Sequence, residues 1–220
     1  MSHQDVTARH AGSRSRCACC GRPQRACICH WFRPVSNEVS VLILQHPNEA
    51  RQPKGSLGLL AGSLKSCEVW VGAQCDESRL ARWVGTAGDA ALLYPPTPGT
   101  APSPGPARVR RLVMLDATWR KSLKMLLLHP ALQALPRLAL QAPEPTRYRA
   151  IRAARRDDQV STLEATVQAL RQLEGPGWDG APLLQAFDRF VGREAARHQR
   201  GAPAAELGGD VGSTPQAGQS

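Results

Sequence analysis

The apolar positions fall into runs of two kinds. "EVSVLILQH" (38–46) is apolar on successive residues, the pattern of a strand covered on both faces. "SCEVWVG" (66–72) and "AALLYP" (90–95) predict further strands, "VRRLVMLD" (109–116) the clearest one, and "RLAL" (137–140) a short last one. Between these the period lengthens. "LARWVG" near residue 80 predicts a helix or a connection. A helix is predicted after Asp116 and is stopped at His129-Pro130, and two more fit 161–174 and 182–198. Trp119, Leu123, Leu126 and Leu127 recur at helical spacing, so that face is expected to be core. Strands alternating with helices predict an α/β fold, a mainly parallel sheet with flanking helices.

The ends read differently. Residues 1–16 predict a disordered arm, 17–33 a compact cysteine-rich module, 34–199 the α/β domain, and 200–220 a small, polar, disordered tail. Six prolines between Pro95 and Pro106 predict an inserted loop in preference to a functional lid. No segment approaches the ~20 apolar residues of a membrane span, and the N-terminus lacks the apolar stretch of a signal peptide. The expectation is a cytoplasmic chain with no membrane contact and no obligate protein partner. Its seven cysteines then point to metal or free thiols ahead of disulfides.

Charge adds a partner. The net charge is +10, with 28 Lys and Arg against 18 Asp and Glu, which favours an anionic ligand. "RYRAIRAARR" (147–156) carries five arginines and no acid. It predicts a phosphate track through Arg149, Arg152 and Arg155, with Tyr148 placed to stack on a base. "GPGWDG" (175–180) fits a dinucleotide-binding pattern only superficially: it follows a helix and contains Pro176, so it reads as a loop.

"CACCGRPQRACICH" supplies two close thiol pairs, Cys17-x-x-Cys20 and Cys27-x-Cys29, separated by a turn with Gly21 and Pro23. Four thiolates at that spacing suit a tetrahedral, closed, structural zinc. Cys19 can substitute within the first pair and His30 for Cys29. A metal-free redox cluster is the alternative, and an iron–sulfur centre fits the spacing less well.

Asp116 stands where the clearest strand ends. Ligands of open α/β sheets bind outside the carboxyl ends of strands. An Asp there is equally a favoured helix N-cap, accepting from Thr118 or Trp119. Both readings stay open. Arg120, Lys121 and Lys124 sit early in the next helix, where the helix dipole disfavours cations, so they fit a nearby anion. "STLE" (161–164) forms a capping box, Ser161 with Glu164, and the same helix start offers N–H groups to a carboxylate.

Asp116-Ala117-Thr118-Trp119 matches the D-x-T-W signature, and other blocks occur in order around it. They are "CACCGRPQRACIC", "LQHPNEARQPKGSLGLL" with His46, Pro47, Glu49 and Lys54, "LLYP", and "YRAIRAARRDDQVSTLEATVQAL". Together, over roughly 17–170, the chain resembles the DTW-domain family of tRNA-uridine aminocarboxypropyltransferases. It departs at "KGS" (54–56), where the family shows K-x-T, and in the proline-rich insertion after Tyr94. The resemblance implies a SPOUT-like fold, which can be knotted near its C-terminal part, preceded by the zinc knuckle. It implies S-adenosylmethionine as donor and a tRNA uridine as acceptor. Asp116 and Glu49 become the candidate catalytic pair, either one a base or a donor ligand. Tyr94, Pro95, Thr118, Trp119, Ser161, Thr162 and Glu164 become candidate donor contacts. Lys54 joins Arg120, Lys121, Lys124 and the arginine run as candidate RNA contacts. A SPOUT-type RNA methyltransferase and a non-catalytic zinc-stabilised RNA-binding protein are the alternatives.

Overall fold

The structure, a computed structural model, describes residues 15–52, 55–85, 88–96, 108–141 and 160–201. The arm up to residue 14, the tail after 201, Lys54, most of the proline-rich loop and the whole arginine run lie outside the described residues.

Five parallel strands form one sheet in the order β2-β1-β4-β3-β5. They are β1 (Ser40–Gln45), β2 (Cys67–Val71), β3 (Ala90–Leu93), β4 (Arg111–Asp116) and β5 (Arg137–Leu138). Each falls inside a run that the apolar pattern predicts. The helices are α1 (Pro47–Ala50), α2 (Leu57–Ser63), α3 (Glu77–Val84), α4 (Trp119–Leu128), α5 (Pro130–Ala134), α6 (Thr162–Glu174) and α7 (Ala181–Gly201).

Strand alternation sorts the core into two layers. Val41, Ile43, Leu112 and Met114 face α2, α6 and α7, meeting Leu59, Leu60, Leu163, Val167, Phe187 and Phe190. Leu42, Leu44, Leu92 and Val113 face α3, α4 and α5, meeting Leu80, Val84, Met125, Leu126, Leu132 and Leu135. β4 lies at the centre, buried on both sides through Leu112, Val113 and Met114, which fixes the position of Asp116 at its end.

Two elements depart from the sequence pattern. Pro130 ends α4 but also opens α5, since its fixed φ suits a first helical position. α2, "LGLLAGS", carries two glycines and poor intrinsic propensity; packing of Leu57, Leu59 and Leu60 forms it instead.

The cysteine-rich segment is seated on the α2–α7 side. Ile28 is 1% exposed and belongs to the same core layer. Trp31 meets Phe190 edge-on at 6.0 Å between ring centres. Arg22 donates to the Gly55 carbonyl at 2.6 Å, and Arg193 of α7 donates to the Arg25 carbonyl at 3.2 Å. Phe32 lies so close to α2 that a Cβ on Gly62 would overlap its ring. Gly62→Ala should therefore destabilise the protein by about 1–3 kcal/mol of overpacking, set against the ~1 kcal/mol that Ala gains in a helix. Thermal unfolding checks it, and a raised melting temperature would mean that the ring swings aside freely.

Candidate active site at the carboxyl end of the central strand

Asp116 is the last residue of β4 and pairs in register with Gln45, the last residue of β1. Its carboxylate is held from two sides. Gln45 Nε2 donates to Oδ2 at 2.8 Å, and the Thr162 hydroxyl donates to Oδ1 at 2.5 Å. Gln45 is 8% exposed, so this contact is shielded from water. Thr162 is the first residue of α6, and the Thr166 hydroxyl bonds its carbonyl at 2.6 Å. Two partners, 71 and 46 residues away in sequence, thus converge on one carboxyl group. Each carboxylate oxygen retains lone-pair capacity beyond these bonds.

The capping role that Asp116 shares as a possibility with other strand-end aspartates is taken elsewhere. The N-cap of α4 is Thr118, in extended conformation and without a side-chain cap bond. The backbone of Asp116 still has its own place: His46 N–H donates to its carbonyl at 2.9 Å. His46 in turn caps α1, its Nδ1 accepting from Asn48 N–H at 3.1 Å. That sets α1, with half-buried Glu49, beside the end of β4.

Ser161 and Glu164 form the expected capping box. Glu164 N–H donates to the Ser161 hydroxyl at 3.2 Å, and Ser161 N–H to the Glu164 carboxylate at 2.8 Å. Glu164 is 3% exposed. These two side chains therefore fix the first turn of α6, and the Thr162 and Thr166 hydroxyls tie that turn to Asp116 and Met114 of β4.

Tyr94 lies just past β3, buried, and Pro95 beside it is exposed. The Tyr94 ring stacks on Trp119, with ring centres 5.2 Å apart and planes 9° apart. Here the structure corrects an expectation. Trp119, Leu123 and Leu127 are not core: they are 61%, 39% and 62% exposed. α4 instead buries Ser122, Met125 and Leu126. The leucines at 126–128 point to three sides of the helix, so hydrophobicity alone could not choose the face, and small Ser122 is on the buried one. Arg120 and Lys124 are exposed and Lys121 half-buried on the same helix. Lys54, Arg149, Arg152 and Arg155 lie outside the described residues.

Further functional candidates that sequence reasoning passed over are Gln45, His129 and Arg137. A glutamine closing an apolar strand is the only local signal for the first. Buried His129 accepts from Cys75 N–H on Nε2 at 3.0 Å, and its Nδ1 lies 2.7 Å from the Met125 carbonyl. Buried Arg137 donates to the Leu132 and Leu135 carbonyls at the end of α5, and burial lowers the stability of its charge. Both tie the α4–α5 layer together.

The cysteines form a second centre. The sulfurs of Cys17, Cys20, Cys27 and Cys29 all lie within 4.8 Å of one another, with Cys17–Cys29 at 3.6 Å and Cys20–Cys27 at 3.8 Å. A tetrahedral zinc with ~2.3 Å bonds to sulfur separates its ligands by about 3.8 Å, so this set fits zinc. Exposed Cys19 and His30 are not part of it. The N–H groups of Cys20 and Cys19 hold the Cys17 thiol down to about 6, while burial and the neighbouring sulfurs push Cys29 up.

The DTW domain family model matches residues 14–194. The chain belongs to the DTW-domain family. Mouse tRNA-uridine aminocarboxypropyltransferase 2 is 29% identical over 176 residues, covering 75% of this chain and 58% of the relative. The macaque protein of the same name is 26% identical over 189 residues, covering 80% and 62%. Arabidopsis tRNA-uridine aminocarboxypropyltransferase A is 28% identical over 136 residues, covering 51% and 50%. The chain thus spans about half to three-fifths of the length of these curated relatives. No solved structure matches. Asp116-Ala117-Thr118-Trp119, the family signature, is the stretch on which β1, β4 and α6 converge. Among the described residues no helix is long and apolar enough to cross a membrane.

Proposed function

We propose that this DTW-domain protein is a tRNA-uridine aminocarboxypropyltransferase. In this reading it moves the 3-amino-3-carboxypropyl group of S-adenosylmethionine to N3 of a uridine, on a SPOUT-like α/β scaffold. The all-parallel sheet with helices on both faces supports that scaffold. The observation that carries the reading is the Asp116 carboxylate, fixed by Gln45 and Thr162 at the end of the central strand, inside the family signature.

The donor brings its own electrophile, a methylene beside a sulfonium. A bond forms from N3 to that methylene, and the carbon–sulfur bond breaks with its electron pair going to sulfur. Methylthioadenosine then leaves as a neutral thioether. The protein's part is positioning and removal of the N3 proton. Asp116 is the base, with Glu49 the second carboxylate of the site. The donor's amino acid end is a zwitterion: the first turn of α6 suits its carboxylate, and Asp116 suits its ammonium only in the alternative role, in which it is not the base. Tyr94 and Pro95, just after β3, and Thr118, the N-cap of α4, are further donor contacts in this reading. Lys54, Arg120, Lys121, Lys124, Arg149, Arg152 and Arg155 supply phosphate contacts for tRNA, and the four-cysteine zinc holds the N-terminal segment in place.

Incubating the zinc-loaded protein with S-adenosylmethionine and unmodified tRNA should release methylthioadenosine, with the matching mass gain on a uridine nucleoside. S-adenosylhomocysteine as by-product would make the protein a methyltransferase. Tight tRNA binding with no product from either route would make it a binding protein.

A further inference from the structure

We infer that the exposed face of α4 is the platform for unpaired nucleotides of the RNA, with Trp119 as its first stacking surface. This rests on the tRNA reading above.

A tryptophan 61% exposed at the mouth of a site asks for a reason, because burying a side chain of that size is worth several kcal/mol. Here one face of the indole is already used. It lies nearly parallel to the Tyr94 ring, 9° off and 5.2 Å away, and Tyr94 is itself 6% exposed and anchored in the core. The indole is thus rigid before any ligand arrives, and a rigid flat ring is what a base stacks on at little entropic cost. Trp119 is three residues past Asp116, so the platform starts beside the proposed chemistry.

The surface then continues. Leu123 and Leu127 extend it at one-turn spacing, both exposed. The eight helical steps from 119 to 127 rise about 12 Å. That is too long for one adenine ring, and close to three or four bases at the ~3.4 Å spacing of a strand. Arg120 and Lys124 follow directly after Trp119 and Leu123 on the exposed arc, and α4 contains no acidic residue. An apolar ledge on a helix that carries cations and no acid suits the flat bases and charged backbone of RNA. It suits a second copy of this chain poorly, since pairing two such helices would bring like charges together with no acid to offset them.

The other source of a nucleobase is the donor's adenine, and the test separates the two. The full-length, zinc-loaded protein is compared with Trp119→Leu, Trp119→Phe and Leu127→Ser. Three quantities are measured: Kd for unmodified tRNA, Kd for S-adenosylmethionine, and mass in solution. Trp119→Leu keeps apolar bulk but loses the stacking face. It should weaken tRNA binding roughly 5- to 150-fold, the ~1–3 kcal/mol of one stacked base. Trp119→Phe should recover most of that loss, and Leu127→Ser, at a residue outside the proposed donor contacts, should show a smaller one with donor affinity unchanged. Weaker donor binding with unchanged tRNA binding would assign the ring to adenine and overturn the inference. So would unchanged tRNA binding in both Trp119→Leu and Leu127→Ser, with or without a change of mass from dimer to monomer. Methylthioadenosine release by the wild type tests the reaction separately, so either reading can fail while the other stands.

Discussion

Asp116→Asn should fold as the wild type does and release methylthioadenosine ~10²-fold more slowly or worse, the low end for loss of a general base. The fold should survive because the site can re-pair. The substituted amide keeps one oxygen that can accept from the Thr162 hydroxyl, which now lies 2.5 Å from Oδ1. Its new NH2 would face the Gln45 NH2, but Gln45 can turn its amide and offer oxygen instead. No cap is lost, since Thr118 rather than Asp116 is the N-cap of α4. What disappears is the charge. If Asp116 takes the N3 proton, raising the pH should restore part of the rate, because hydroxide and bulk base then share the proton transfer. If Asp116 instead holds the donor's ammonium, pH should not help and donor affinity should fall with the rate. Turnover and donor binding across pH, for wild type and Asp116→Asn, decide between them. Near wild-type turnover would return Asp116 to a purely structural role and make Glu49 the next residue to replace.

How far the sequence speaks differs by element, and the reasons are physical. The strands were legible because β1, β3 and β4 are buried on both faces, so the residues between their ends are apolar in succession. The capping box at Ser161 and Glu164 and the four-cysteine cluster were legible because each is local: its partners are 3 to 12 residues apart. The exposed face of α4 was not. Leu126, Leu127 and Leu128 put an apolar residue on three sides of the helix, and only the packing of Met125 and Leu126 against the sheet fixes which side is inside. Nor was the partnership of Gln45 and Thr162 with Asp116, because it depends on the register of β1 against β4 and on where α6 returns. The signature motif marks the place; the two residues that hold its aspartate lie far away in sequence.

Cys27→Ser should abolish zinc binding and lower the melting temperature by several degrees. The wild type should hold about one zinc per chain, because four sulfurs close one tetrahedron. A serine hydroxyl is no replacement for a thiolate on zinc, so three ligands remain and metal content should fall toward zero, as elemental analysis would show. The effect should reach beyond the knuckle. Ile28, next to Cys27, is 1% exposed in the main core layer, and burying such a side chain contributes about 1.5–3 kcal/mol. Arg193 of α7 donates to the Cys27 carbonyl at 3.5 Å and sits over Trp31, while Arg22 sits over Phe190. Releasing the metal frees all of these contacts at once. Strong chelator should reproduce the shift in the wild type and leave Cys27→Ser unmoved. A protein purified without zinc and indifferent to chelator would make the cluster a set of free thiols. Activity supplies the last discrimination. A closed set of four sulfurs leaves no position for substrate, so activity in Cys27→Ser should fall only with the folded fraction. If methylthioadenosine release vanished while the melting temperature stayed put, one of the four sulfurs would have to leave the metal during turnover, and the zinc would belong to the chemistry at Asp116 rather than to the fold.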